Sequence, residues 1–352
     1  MKAHAEAIER RLLEPFELAD LIFEVGCSIG IAVSPDDGST ASTLLQRADV
    51  AMYAAKRGTS SIEFYGPDID HAGPKQLALA AELRRDIAQR LLLVEYQPKA
   101  ALPGGDVLGV EALARWHHPQ HGFITPDVFI GIAERSGLIR PLTQCVLDIS
   151  LRQLAQWRAE GFDLVMSVNI STRNLLDDAL PPMVEEALTR HGVPASSLTL
   201  EITEGTIIAD PARTVGTLNR LSDMGVALAI DDFGTGYSSL SYLHRLPVDE
   251  IKIDKSFVQG MTGDDSDAVI VRSTIELGHN LGLQVTAEGV EDGQTWQLLA
   301  AAGCDQAQGF YLRPSGTGVQ ITRWLKARRE EQAALNGLLS GRQPSTSTTV
   351  TS

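Results

Sequence analysis

Between residues 92 and 312 the chain carries eight short strand-like segments, and each ends, or nearly ends, on a polar residue that apolar packing does not require. In order these are Gln97 in VEYQPK, Glu111 in GVEALARW, Asn169 in MSVNIS and Glu201 in LTLEITE. Asp231 and Asp232 follow in ALAIDDFG, then Lys252 in EIKID, Glu288 in VTAEGVE and Gln308 in AQGFYL. Helix-length stretches separate most of them. Alternating strands and helices with chemistry gathered at the strand C-termini are the plan of a (β/α)8 barrel. The exception is LLLVEYQPKAALPGGDVLGVEALARW, which has no room for a helix. Its Pro103, Gly104 and Gly105 read as a hairpin turn, so the first two strands should be antiparallel. The expected fold is therefore α/β: a modified TIM-like (β/α)8 barrel with an antiparallel first strand.

Carboxylates converging on one rim repel one another strongly unless cations lie between them. Glu111, Asn169, Glu201, Asp231, Asp232 and Glu288 offer hard oxygen donors, with no thiolate and no paired histidine motif among them. Such a set suits Mg²⁺ or Mn²⁺ rather than Zn²⁺. Adjacent aspartates at a strand end can put one carboxylate across two ions and the other on one of them. Two ions about 3.5–4 Å apart are the usual arrangement for attack on a phosphodiester, and Lys252 on the next strand could hold the attacking water. His117, His118 and His121 in RWHHPQHG are expected in a solvated turn around Pro119 rather than in a tetrahedral zinc site.

The 30 basic and 45 acidic side chains give a formal charge of −15, with the acids spread along all 352 residues. That surface repels a nucleic-acid backbone and argues against DNA or RNA as partner. Cys27, Cys145 and Cys304 are scattered and form no CxxC pair, which reads as reduced thiols of a cytoplasmic protein. No apolar run approaches the roughly 20 residues needed to cross a bilayer, so no membrane insertion is expected.

Residues 1–65 read as a small α/β fragment: a charged helix through MKAHAEAIERRLLEPFELAD, a strand in VGCSIGIAV, a helix in TASTLLQRADVAMYAAKRG and a strand in SIEFYG. Residues 66–76 have the Pro, Gly and Asp content of a linker, residues 77–328 hold the barrel, and the polar stretch 336–352 is expected to be disordered.

Taken in order, EALARW, SVNIS, LEITE, DDFGTGYSSLSYL, KIDKSFV, AEGVE and QGF resemble the EAL domain family of cyclic di-GMP phosphodiesterases. The resemblance implies hydrolysis of cyclic di-GMP to linear pGpG with two Mg²⁺ or Mn²⁺ ions. The alternative is a cyclic di-GMP receptor or scaffold that binds without turnover. It further implies Glu111, Asn169, Glu201, Asp231, Asp232 and Glu288 as metal ligands, Lys252 as the group that positions the water, and Gln308 hydrogen-bonded near it. Gln97 and Arg115 would contact the dinucleotide, and Glu291 would be a second acid beside the site. Glu204 resembles the glutamate that anchors the Gly-rich loop after the fifth strand, a loop that in the family links the metal site to a homodimer interface. SIGIAVSPDDGS and ADVAMYAAKRG resemble the C-terminal half of a GGDEF domain without its signature loop, so the fragment is expected to be a vestige or truncation with no cyclase activity.

Overall fold

The structure, a computed structural model, describes residues 2–12, 16–18, 21–23, 26–57, 61–66, 72–203, 211–235, 243, 246–263 and 265–340. It forms two compact units, Met1–Arg84 and Arg85–Ser352.

The N-terminal unit contains α1 (Lys2–Leu12), β1 (Phe16–Leu18), β2 (Leu21–Phe23), β3 (Ile29–Ile31), α2 (Ala41–Arg57) and β4 (Ile62–Phe64). The two expected strands and the helix between them are present, and the strands pair in parallel, with Ile29, Gly30 and Ile31 opposite Ile62, Glu63 and Phe64. A Cβ at Gly30 would lie 2.0 Å from the Ala48 carbonyl oxygen, so only glycine lets α2 pack this closely on the strand. One expectation is corrected. The described first helix spans Lys2–Leu12, and Phe16–Leu18, inside the stretch read as helical, instead forms strand β1, which pairs antiparallel with β2. Pro15 supplies the reason, because it disfavours helical backbone at the residue before it.

Helix α3 (Ala72–Ala88) begins inside the stretch expected to be linker. Pro74 lies in its first turn, where a missing N–H costs no helical bond. The barrel follows: β5 (Leu93–Ala101), β6 (Val107–His118), β7 (Gly122–Ile124), α4 (Pro126–Ser136), α5 (Ile139–Ala159), β8 (Val165–Asn169), α6 (Thr172–Leu175), α7 (Leu180–His191) and β9 (Leu198–Thr203). Then come α8 (Pro211–Asp223), β10 (Ala227–Phe233), β11 (Glu250–Ile253), α9 (Lys255–Gly260), α10 (Asp265–Asn280), β12 (Gln284–Ala287), α11 (Gly293–Ala301), β13 (Gln306–Gln308), β14 (Gly316–Thr317) and α12 (Gly318–Ser340). Helix α12 carries the chain past residue 328 and through residues 336–340, expected to be disordered; the run AALNGLLS supports helix by intrinsic preference except at its glycine. Residues 341–352 lie outside the described residues.

Strands β5, β13, β12, β11, β10, β9, β8 and β6 close into a ring of eight, because β5 also pairs with β6. Strand β5 runs antiparallel to both of its neighbours, as the ProGlyGly hairpin predicts. The other barrel pairs are parallel. The short β7 and β14 are additions that the eight-strand reading did not contain.

Alternation along each strand sorts the side chains. On β9, Leu198, Leu200 and Ile202 are buried on one face, while Thr199 and Glu201 share the other. On β11, Ile251 and Ile253 alternate with Glu250 and Lys252. The apolar faces pack outward against the helices: Ile253, Val285, Ala287 and Ala307 form one cluster with Val258, Val271, Ile275 and Leu299. The barrel interior is correspondingly polar, unlike the branched aliphatic filling usual for this architecture.

Outside the barrel ring, Asp148 on α5 is approached by Arg90, Arg190 and His191. Arg90 Nη1 lies 3.3 Å from its Oδ2, and Arg190 Nη1 and His191 Nε2 lie 3.2 and 2.9 Å from its Oδ1. Burial alone would raise the Asp148 carboxyl, but the His191 and Arg190 hydrogen bonds and the Arg90 charge hold it below its ordinary value. Its contribution to stability is therefore present above the ordinary carboxylate pKa and lost as pH falls through the depressed one. The arginine heads are 61% and 42% exposed, so screening limits the gain. Asp148→Ala should lower the unfolding free energy by about 1 kcal/mol, the net scale of hydrogen bonds to partners that water can re-solvate. Urea denaturation at pH 7 measures it; an unchanged midpoint would mean the cluster adds nothing to stability.

Candidate active site

The interior side chains at the C-terminal ends of the parallel strands converge on Lys252. Its Nζ is 2.6 Å from Glu288 Oε1, 2.7 Å from Glu201 Oε2, 3.0 Å from Asp231 Oδ1 and 3.7 Å from Glu111 Oε2. Lys252 and Glu201 are both fully buried. Glu111 Oε1 accepts a 2.6 Å bond from Asn169 Nδ2, and Glu111 Oε2 accepts a 2.6 Å bond from Gln308 Nε2. Gln308 Nε2 also reaches Gln97 Oε1 at 3.2 Å, across the β13–β5–β6 seam.

Adjacent residues on a strand face opposite ways, so a pair of neighbouring ligands needs a local irregularity. Strand β10 has one: its register with β11 shifts between Ile230 and Phe233. Asp232 takes the left-handed region at φ 54°, where aspartate is tolerated better than most residues, and its N–H donates to Asp231 Oδ1 at 3.1 Å. The bulge gathers the carboxylates into two overlapping triads, Glu111–Glu201–Asp231 and Asp231–Asp232–Glu288, with the ligand oxygens of each triad within 4.8 Å of one another. Asp231 belongs to both.

One lysine cannot balance this charge. Burial lifts the Glu288 carboxyl to about 8, against the pull of Lys252 and with the push of Asp231 and Glu111. Burial likewise raises Glu111, with Lys252 opposing and Glu201 and Asp231 reinforcing. Asp231 and Asp232 are raised by burial too, Asp232 with help from Asp254. Glu201 is the exception: burial alone would raise it, but Lys252 and Lys99 bring it down to about 2. Lys252 lies well above its ordinary value, because the surrounding carboxylates outweigh the cost of burying its charge. An all-oxygen, anion-rich donor set is one that divalent cations would complete, and these clusters could bind metal. Gln308 Oε1, buried without a hydrogen-bond partner among the described residues, fits the same need.

Above the triads opens a cavity of about 520 Å³. Gln97, Glu111, Arg115, Asp231, Glu288, Glu291 and Gln308, all singled out from the sequence, line it. Asn169, Glu201, Asp232 and Lys252 join them through the bonds and triads above. Glu204, with residues 236–242 of the Gly-rich loop, lies outside the described residues. Arg115 is aimed by Glu95, whose Oε2 accepts from its Nε at 2.9 Å, and by Ser315 Oγ, 3.4 Å from its Nη2. Glu291 Oε1 accepts from Gln259 Nε2 at 2.9 Å.

Sequence reasoning missed Glu95, Lys99, Lys255, Gln259, Phe310 and Ser315. Lys255, Gln259, Phe310 and Ser315 line the cavity, and only Lys255, two residues after the proposed strand end at Ile253, carried a signal in its charge. The histidine expectation is corrected in part: the turn at Pro119–His121 is present and His117 and His121 are exposed, but His117 and His118 belong to β6, and His118 is buried, its Nδ1 accepting the Gln120 and His121 N–H groups at 3.2 Å. It shapes the turn.

Comparison with known proteins accords with this geometry. The EAL domain family model matches residues 80–315, and the model for the diguanylate cyclase GGDEF domain matches residues 1–61. A bifunctional diguanylate cyclase/cyclic di-GMP phosphodiesterase, MucR of Pseudomonas aeruginosa, is 42% identical over 310 residues, 88% of this chain and 45% of that protein. The cyclic di-GMP phosphodiesterase PdeR of Escherichia coli is 36% identical over 327 residues, 93% of this chain and 49% of that protein. The chain thus spans about half the length of these curated relatives. A solved structure described as the PaMucR phosphodiesterase, c-di-GMP complex, superposes with a TM-score of 0.67 at 43% identity, covering 69% of this chain and 99% of that one. No helix among the described residues is long and apolar enough to cross a membrane.

Proposed function

The chain belongs to the EAL domain family, and on that premise we propose that its barrel hydrolyses cyclic di-GMP to linear pGpG. The observation that carries the reading is the pair of carboxylate triads sharing Asp231 beneath a cavity that also presents the Arg115 guanidinium. Glu111, Asn169, Glu201, Asp231, Asp232 and Glu288 would hold two Mg²⁺ or Mn²⁺ ions. Bound there, the ions would neutralise phosphate charge and lower the pKa of water.

The chain's own groups supply the rest. Arg115, held by Glu95 and Ser315, offers its remaining N–H donors to a phosphate or a guanine edge, and its planar fork suits bidentate contact. Gln97 and Gln308 form an amide pair on the seam beside Glu111, and Glu291 adds an acceptor at the cavity wall. Lys252, whose three N–H donors point to Glu201, Asp231 and Glu288, would turn one of them to the hydrolytic water once cations take up those carboxylates, and it stabilises negative charge. The water oxygen bonds to phosphorus as one ester P–O bond breaks; the water gives up one proton and the departing ribose oxygen gains one, which opens the ring to the linear dinucleotide. The homodimer and the anchoring role of Glu204 belong to the same reading; molecular mass in solution tests the first.

The experiment is direct. Purified protein with cyclic di-GMP and Mn²⁺ or Mg²⁺ should yield pGpG, while Ca²⁺ should bind and inhibit, because its longer bonds and looser coordination misplace the attacking water. Binding of cyclic di-GMP with no product under Mn²⁺ would leave a receptor instead of an enzyme. Equal turnover with calcium would overturn the proposed ligand geometry.

A further inference from the structure

Two residues beyond Gln97, Lys99 points into the barrel beneath the carboxylate triads and is 2% exposed. Its Nζ donates to Ser167 Oγ at 2.7 Å and lies 3.5 Å from both Glu201 Oε1 and Glu250 Oε1. Glu250 is buried too, and its Oε1 accepts from Thr286 Oγ1 at 2.5 Å. An ammonium group only donates hydrogen bonds. The Ser167 oxygen therefore accepts from Lys99, which turns its own hydrogen to the Glu201 carboxylate. Glu201 is thus held on both oxygens, Oε2 by Lys252 from the site above and Oε1 by Lys99 from below, with Ser167 adding a further hydrogen bond to the carboxylate. Glu250 keeps Lys99 centred by balancing its charge.

We propose that Lys99 is a positioning residue for the reaction, fixing the Glu201 carboxylate so that it presents a defined oxygen to a divalent cation. The inference rests on the metal-dependent reading above. It follows the general behaviour of metal sites, where groups bonded to a ligand's far side set its orientation, and their loss costs about 10- to 100-fold in metal affinity. Charge and position must be separated in the test. Lys99→Met alone removes a cation from an anionic site, which favours metal binding electrostatically, while it frees the Glu201 side chain, which opposes it. It also leaves Glu250 buried and unbalanced, which endangers folding. The double variant Lys99→Met with Glu250→Gln removes one positive and one negative charge together. Methionine fills similar space, and glutamine retains an acceptor for Thr286.

Titration calorimetry with Mn²⁺ in the absence of substrate is the primary readout, with thermal melts recording the fold. The expected result for the double variant is a cooperative melt, Mn²⁺ affinity lowered about tenfold or more, and a higher half-saturating Mn²⁺ concentration for turnover without a matching change in KM for cyclic di-GMP. A double variant that melts cooperatively and binds Mn²⁺ as the parent does would overturn the inference and leave the enzymatic reading standing. If the parent itself binds no Mn²⁺, the metal-dependent reading fails, and this inference fails with it.

Discussion

Asp231→Asn should abolish hydrolysis of cyclic di-GMP while leaving the barrel folded. Asp231 is the one residue common to both carboxylate triads, so its loss weakens two proposed cation sites at once. The substitution is a mild test of everything else. An asparagine keeps the shape and keeps an oxygen to accept the Asp232 N–H, so the bulge that aims the second aspartate survives. It also removes one of the like charges pressing on Glu288, which makes the folded state no less comfortable. Metal-ion charge stabilisation is worth several kcal/mol, and each 1.4 kcal/mol is tenfold in rate, so a loss of about 10³-fold or more is expected. Turnover at saturating Mn²⁺, together with a thermal melt, checks it. A folded Asp231→Asn protein with most of its activity would rule out this metal assignment.

The second large effect concerns removal of metal. In EDTA the folded protein should become less stable as pH rises from about 5 to 8. Glu288, lifted to about 8, together with the raised Glu111, Asp231 and Asp232, binds protons in the folded state that the unfolded chain has already released. Stability falls with pH wherever the native state holds more protons. Glu201 titrates on the other side of the window, near 2, and does not alter the sign. Divalent cations should replace those protons and flatten the slope, so their stabilisation should be greater at pH 8 than at pH 5.5. At a hundred times the dissociation constant, one bound ion adds about 2.7 kcal/mol, or about 5–11 °C for a domain of this size. Melting temperatures with EDTA and with Mg²⁺ at both pH values measure this. A metal-free protein that grows more stable across that range would contradict the electrostatics derived for the site.

The sequence made the upper rim legible because the seven parallel strands each carry a polar site residue at or near the end of an apolar run, and such endings in order are hard to produce by packing alone. It did not make the floor legible, for a reason of direction. On β5 the strand runs the other way, so the deeper residue follows the rim residue, and Lys99 reads as an ordinary charge approaching a hairpin turn. The bulge was hidden too: two adjacent aspartates are visible as letters, but their shared orientation depends on one residue at φ 54°. Glu95 and Ser315 were missed because they reach Arg115 from β5 and from the segment before β14, an edge strand too short for periodicity to reveal. The helix boundaries at Leu12, Ala72 and Ser340 moved for local reasons of proline placement and helix preference.

The reversed β5 also bears on how the ring finds its correct closure. Tyr96 faces outward, edge-on to Trp157 with ring centroids 5.1 Å apart, while Gln97 and Lys99 face inward. A slip of one residue would exchange these faces. Tyr96 and Pro98 would then meet the buried carboxylates, and the Lys99 ammonium would enter the apolar layer beneath the helices. Carboxylates on β9 and β11 thus act as an error check on the β5 seam: a misregistered barrel would strip Lys99 from Glu201 and leave Glu250 without its counter-charge.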